Sequence, residues 1–179
     1  MEEKHLIEKA QSGDQKCFTE LILLHQSKLY KYLLAKCGNE ADAKDVLQET
    51  YINAYKYIQS YNSKWAFHTW LFTIATRLAN KRPLQHVSIE ECNDIEGSYE
   101  SIEYKNSKNN IWHHIRSLVK QQAFDVLWFY YAEERSTKEI AKIMSKSQSW
   151  VKITLHRSKK KMSSNSELRK MSEDYLMVS

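Results

Sequence analysis

Apolar residues recur at three- and four-residue steps along most of this 179-residue chain, the spacing of one buried helix face. Leu6, Ile7 and Ala10 predict a short first helix, which Ser12-Gly13-Asp14 breaks, and Asp14 is a good N-cap for the next. Phe18, Leu21, Ile22, Leu24, Leu29, Tyr32, Leu33 and Cys37 predict the buried stripe of a second helix. Gly38 stands where a left-handed C-terminal residue belongs. A third helix is expected over about 42–59, with Val46, Leu47, Tyr51, Ala54, Tyr55 and Ile58 as its apolar side. After a polar stretch over 60–64, Phe67 begins a fourth helix that ends near Pro83, since proline cannot extend it.

The pattern lapses over 84–108, which holds few large apolar residues and reads as a linker. Helical spacing returns over 109–163, with Ile111, Trp112, Ile115 and Leu118, then Phe124, Leu127 and Phe129, and then two shorter helices. The remainder, 164–179, reads as a polar, frayed tail.

Composition narrows the class. Three glycines and one proline are too few for a many-stranded sandwich or barrel, and no glycine-rich phosphate loop can be written. Hydrophobic residues make up 42%, enough for a core, and no run approaches the length of a membrane span. The acidic, mixed start has no apolar region behind it and predicts no secretion signal. Cys17, Cys37 and Cys92 are widely spaced and odd in number, which suggests reduced thiols in a cytoplasmic protein. The fold class expected is all-α, as two small helical domains, 1–83 and 109–163, joined by a flexible linker.

Charge changes the picture further. The net charge is +5, but residues 86–104 carry six acids and no base, as befits a linker. Residues 135–161 carry nine bases against Glu139 alone, which suggests a polyanionic partner or a solvated helix face.

Three segments carry candidate chemistry. In the first, Ser136 and Glu139 have capping-box spacing, and Ile140, Ile143 and Met144 bury one face of a short helix. A turn near Ser145 leads to a second helix with Val151 and Leu155 inward. Gln148, Ser149, Lys152, His156, Arg157 and Lys160 are then outward, and Trp150 either packs or protrudes. That is the pattern of a helix-turn-helix with its second helix in a major groove, or of a plain helical hairpin.

In the second segment, Asp42, Asp45 and Glu49 line one polar helix face. A solvated face, a surface for a basic partner and a carboxylate-metal site all fit, but no histidine stands at ligand spacing and no metal site is expected. In the third, Tyr61, Asn62, Ser63, Lys64 and Trp65 occupy a polar connection, with Arg77, Lys81 and Arg82 further on. Exposed rings beside cations suit single-stranded nucleic acid, because bases stack on rings while phosphates meet Lys and Arg.

Taken together and in order, these segments resemble the extracytoplasmic-function sigma factors, the small two-domain sigma subunits of bacterial RNA polymerase. Asp42-Ala43-Lys44-Asp45-Val46-Leu47-Gln48-Glu49-Thr50 resembles the family's D-A-x-D-hydrophobic-hydrophobic-Q-E-T segment. Phe67-His68-Thr69-Trp70-Leu71-Phe72-Thr73-Ile74-Ala75 resembles F-x-T-W-L-x-x-I-A. Glu139-Ile140-Ala141 and Val151-Lys152 through Leu155-His156-Arg157 resemble E-I-A and V-K-x-x-L-x-R.

The resemblance implies region two over 1–83 and region four over 109–163. It implies that Asp45, Gln48 and Glu49 dock on the clamp helices of the polymerase β′ subunit. Residues Tyr61 to Trp65, with Arg77, Lys81 and Arg82, would open the minus-ten element. Gln148, Ser149, Trp150, Lys152, His156, Arg157 and Lys160 would read the minus-thirty-five element beside the β flap. An anti-sigma partner is also implied, and no cofactor. Arg77 stands where the family usually has asparagine, and Ser145 replaces the common turn glycine, so an asparagine contact cannot be carried over. The function expected is non-enzymatic transcription initiation. The rivals are a stand-alone helix-turn-helix regulator, a carboxylate-metal nuclease using Asp42, Asp45 and Glu49, and a helical adaptor.

Overall fold

The structure, a computed structural model, describes residues 2–82, 108–166 and 168–169. Eight α-helices and no strand occur among them, so the described chain is all-α. It divides into two compact units, Met1–Pro83 and Leu84–Ser179. The linker expected over 84–108 lies outside the described residues except for Lys108, which already begins a helix.

The first unit holds α1 (Glu3–Gln11), α2 (Gln15–Cys37), α3 (Glu40–Tyr57), a 3₁₀ turn (Ile58–Ser60) and α4 (Phe67–Lys81). Gly13, at φ 97°, reverses the chain after α1. Asp14 then caps α2, its carboxylate accepting the N–H groups of Lys16 at 2.9 Å and Cys17 at 3.0 Å. Those bonds, the Cys17 N–H foremost, hold the Asp14 carboxyl below its ordinary range. Gly38 ends α2 at φ 80° and donates its N–H to Leu34. Asn39 caps α3 through the Asp42 N–H at 2.8 Å, which starts that helix slightly earlier than its apolar pattern suggests.

α2 is the spine of this unit and packs on α1, α3 and α4. Leu21, Leu29 and Leu33 are fully buried along it. Each contributes roughly 1.5–3 kcal/mol of apolar burial. Polar pins fix α4 against α2. Tyr32 and Thr76 share a buried hydroxyl pair at 3.1 Å, and buried Lys36 donates to Asn80 at 2.9 Å. Leu24 departs from the predicted stripe. With Leu23 it faces outward, because the buried ridge steps from Leu21 and Ile22 to Leu29. Tyr55 on α3 is likewise exposed, its ring lying edge-on to Phe18 and its hydroxyl meeting Gln15.

The second unit holds α5 (Lys108–Leu118), α6 (Gln121–Tyr131), α7 (Thr137–Met144) and α8 (Gln148–Ser163). Phe124, Val126, Leu127, Trp128 and Phe129 of α6 are buried, and Trp112 lies against Phe124 and Trp128. α8 packs on both α6 and α7. The stretch read as a frayed tail begins in order: Leu168 is buried, and its N–H is held by Asn165 at 2.9 Å.

Candidate nucleic-acid and protein interfaces

α3 turns Ala43, Val46, Leu47, Thr50 and Ala54 inward. That leaves Asp45 and Gln48 exposed, with Asp42 and Glu49 half-buried beside them. A cation absent from the sequence expectation joins this face. Arg82 brings Nη1 to 4.0 Å from Asp42 and 3.7 Å from Asp45, and Nη2 to 3.5 Å from Glu49. Arg82 was expected at nucleic acid beside Arg77 and Lys81; in the structure its guanidinium lies against this acidic face. Three carboxylates draw its guanidinium across the end of α4, where the planar fork can serve several oxygens. Among the described residues no group of three or more His, Cys, Asp or Glu is placed to hold a metal ion, and Arg82 occupies the charge the nuclease reading would give a cation.

The connection between the 3₁₀ turn and α4 is a built loop. Gln11 of α1 donates to the carbonyls of Ile58 at 3.1 Å and Tyr61 at 3.0 Å, fixing its base. The expectation that Tyr61 presents an exposed ring fails. Tyr61 is only 8% exposed, lies edge-on to Phe67 and Trp70, and donates its hydroxyl to the Trp65 carbonyl at 2.6 Å. That burial raises its hydroxyl's pKa. Tyr61 is thus the post on which the loop stands. Asn62 accepts the Lys64 N–H at 2.9 Å in a tight turn, and Asn62, Ser63 and Lys64 are exposed with Trp65 half-buried. Along α4, exposed Arg77 and Lys81 follow half-buried Trp70 and Thr73 one turn apart. The Trp70 ring and two cations therefore share one strip.

In the second unit the capping box forms as its spacing predicts. The Glu139 N–H donates to Ser136 at 3.3 Å, and the Ser136 N–H donates to Glu139 at 3.0 Å. Ser145 makes the turn in the left-handed region, at φ 51° and ψ 44°. Lys146 donates back to the Ala141 carbonyl at 2.9 Å, closing the turn without glycine. Ser147 caps α8 through the Trp150 N–H at 3.1 Å. Gln148 donates to Thr137 at 2.7 Å and so ties the starts of α7 and α8 together. Two short helices, a three-residue turn and a shared core make a helix-turn-helix.

Val151, Leu155 and Ser158 bury one side of α8. Ser149, Lys152, His156, Arg157 and Lys160 are exposed on the other, as expected. Trp150 is half-buried under the Lys146 ammonium at 5.6 Å. Like Lys146, further bases of this segment serve inside the unit. Lys159 lies over Tyr130 and Tyr131, and Arg135 reaches Glu133 at 3.7 Å and Glu139 at 4.0 Å. The Tyr131 hydroxyl raises the Lys159 pKa. Ile153, which the charge pattern passes over, is exposed among the cations.

Known proteins share both units. Residues 21–82 match the family described as Sigma-70 region 2, and residues 119–162 match Sigma-70, region 4. A similar relative is the ECF RNA polymerase sigma factor SigW of Bacillus subtilis, 33% identical over 92 residues, 49% of this chain and 49% of that protein. Another is the ECF RNA polymerase sigma-E factor of Haemophilus influenzae, 40% identical over 74 residues, 41% of this chain and 39% of that protein. The matched stretch thus spans about half the length of these relatives or less. Among solved structures, CnrH in complex with the cytosolic domain of CnrY has a similar fold. It has a TM-score of 0.69 and 19% identity, covering 90% of this chain and 94% of that one. The sigma factor RpoE of Bartonella quintana, solved with the anti-sigma factor NepR, gives 0.61 at 16% identity, covering 88% and 98%.

Proposed function

We propose that this chain, which belongs to the extracytoplasmic-function sigma factors of the sigma-70 family, binds core RNA polymerase and directs it to start transcription at particular promoters. That family is not a family of enzymes. The observation that carries the proposal is the division of chemistry between the two units. One presents an acidic helix face and a ring-and-cation strip. The other presents a helix-turn-helix whose outward helix is basic.

The roles follow from the side chains. Asp45, Gln48 and Glu49 dock on basic and polar groups of the polymerase clamp, with Arg82 setting how much of their charge is on offer. The loop of Asn62, Ser63, Lys64 and Trp65, held up by Tyr61, captures an unpaired base of the minus-ten element. Arg77 and Lys81 take the phosphates of the opened strand. Melting is then driven by base capture, with no nucleotide hydrolysis by this chain. α8 enters the major groove at the minus-thirty-five element, where Lys152, Arg157 and Lys160 meet phosphates and Ser149 and His156 reach base edges.

CnrH and RpoE were each solved with a protein partner, and an anti-sigma factor is the corresponding regulator proposed for this chain. Among the described residues no helix is long and apolar enough to cross a membrane, and the workplace proposed is the cytoplasm, where polymerase is.

The test is a binding comparison. Labelled chain titrated with core polymerase should form a saturable complex, and promoter DNA should be bound tightly only by that complex. Tight sequence-specific binding by the chain alone, with none to polymerase, would favour the stand-alone regulator that a complete helix-turn-helix also permits.

A further inference from the structure

The exposed side of α8 is basic and polar, apart from one large apolar side chain. Ile153 is 51% exposed. With Val151, Leu155 and Ser158 buried, the 100° step of an α-helix places Ser149, Ile153, His156 and Lys160 on the ridge pointing farthest from the core. Lys152 and Arg157 flank that ridge. Single exposed apolar side chains are common on solvated helices, but at this crest only an outside surface can bury Ile153. The neighbours say what that surface is. Three cations around one apolar point match a polyanion, because lysine and arginine beside it would seat on phosphates. The groove between those phosphates offers only one apolar group on its base edges, the C5-methyl of thymine. Ile153 also lies in the second turn of α8, and the N-terminal turns of a recognition helix reach deepest into the groove.

We infer that Ile153 is a specificity-determining residue that reads a thymine methyl group in the upstream promoter element. It favours thymine over cytosine at one position through apolar contact and contributes no hydrogen bond. The inference rests on the proposed placement of α8 in the major groove.

The experiment uses the full chain bound to core polymerase. A promoter library randomised at the upstream element is selected with the native protein, and each preferred thymine is then replaced by deoxyuridine, which removes only the methyl group. At one position the native protein should lose about four-fold in affinity, the worth of one buried methyl. Ile153→Ala should bind thymine and deoxyuridine equally there and respond normally elsewhere. Ile153→Val, which keeps the branch point, should retain most of the discrimination. Both variants alter an exposed position, so folding is preserved, and helicity by circular dichroism confirms it. If an upstream sequence is selected but no thymine-to-deoxyuridine change separates the native protein from Ile153→Ala, the assignment to Ile153 is wrong and the helix-turn-helix reading stands. If no upstream sequence is selected at all, both fall.

Discussion

The two units reverse their chains after helices with different residues. In the first, Gly13 and Gly38 take φ 97° and 80°, where a glycine meets no steric penalty. In the second, Glu134 and Ser145 both sit at φ 51° and carry side chains into the left-handed region. Each such residue costs roughly 1–2 kcal/mol. The second unit is also the smaller by described residues and spends Arg135 and Lys159 on internal pairing. The comparison teaches that the unit proposed to dock on polymerase is built on relaxed turns. The unit proposed to read the minus-thirty-five element holds strain at the turn that sets its recognition helix.

The comparison can be broken most forcefully through charge. Asp45→Lys with Gln48→Ala should weaken polymerase binding at least ten-fold by fluorescence titration while leaving the salt dependence of promoter contact unchanged. Lys152→Glu with Arg157→Glu should do the reverse. Removing two phosphate contacts lowers the slope of log affinity against log salt by about 2. If either pair altered both readouts equally, the division of labour between the units would be wrong.

The turns give smaller effects. Gly38→Ala should destabilise the first unit by more than about 1 kcal/mol, because a Cβ is placed at positive φ. Ser145→Gly should stabilise the second unit by about 1 kcal/mol, since the strain is relieved. Separate thermal transitions followed by calorimetry would check both, and a loss of stability in Ser145→Gly would show that the serine hydroxyl outweighs the backbone strain. A smaller gain is expected from Tyr51→Phe. The Tyr51 hydroxyl is buried without a hydrogen-bond partner, and burial pushes its pKa up to about 12. Removing it should be neutral or stabilise by up to about 1 kcal/mol in denaturant titration.

The smallest effect is the pH response of the first unit. Asp14 has its folded pKa depressed by the backbone N–H groups it accepts, so the stability it lends is present above the ordinary carboxylate pKa. That stability is lost as pH falls through the lower folded value. Asp14→Ala should flatten that acid limb of the unfolding curve, and an unchanged limb would remove Asp14 as its source.

The sequence made local features legible and long-range ones obscure. Asp14, Gly38 and the Ser136–Glu139 box act on backbone within a few residues, so spacing alone places them. The helix-turn-helix was likewise readable because Ile140, Ile143, Val151 and Leu155 fix both its faces. Tyr61 was misjudged because its burial depends on Gln11, fifty residues earlier, which fastens the loop over the core. The pairing of Arg82 with Glu49 was not legible because the two lie thirty-three residues apart, and nothing local shows which carboxylates a cation at the end of α4 will meet. Leu24 looked buried because helical spacing tolerates one extra apolar residue beside a true stripe. Ile153 drew no attention for the opposite reason, since one apolar residue among cations leaves no period to detect.

This chain is proposed to make core polymerase choose a promoter. Mapping transcript starts after overexpression would supply a template, and run-off transcription on it would decide. Core polymerase with this protein should yield one product of defined length, absent with either component alone and absent with the Asp45→Lys, Gln48→Ala variant. A polymerase preparation that gives no promoter-specific product with the native chain, despite a folded protein and the mapped template, would contradict the account.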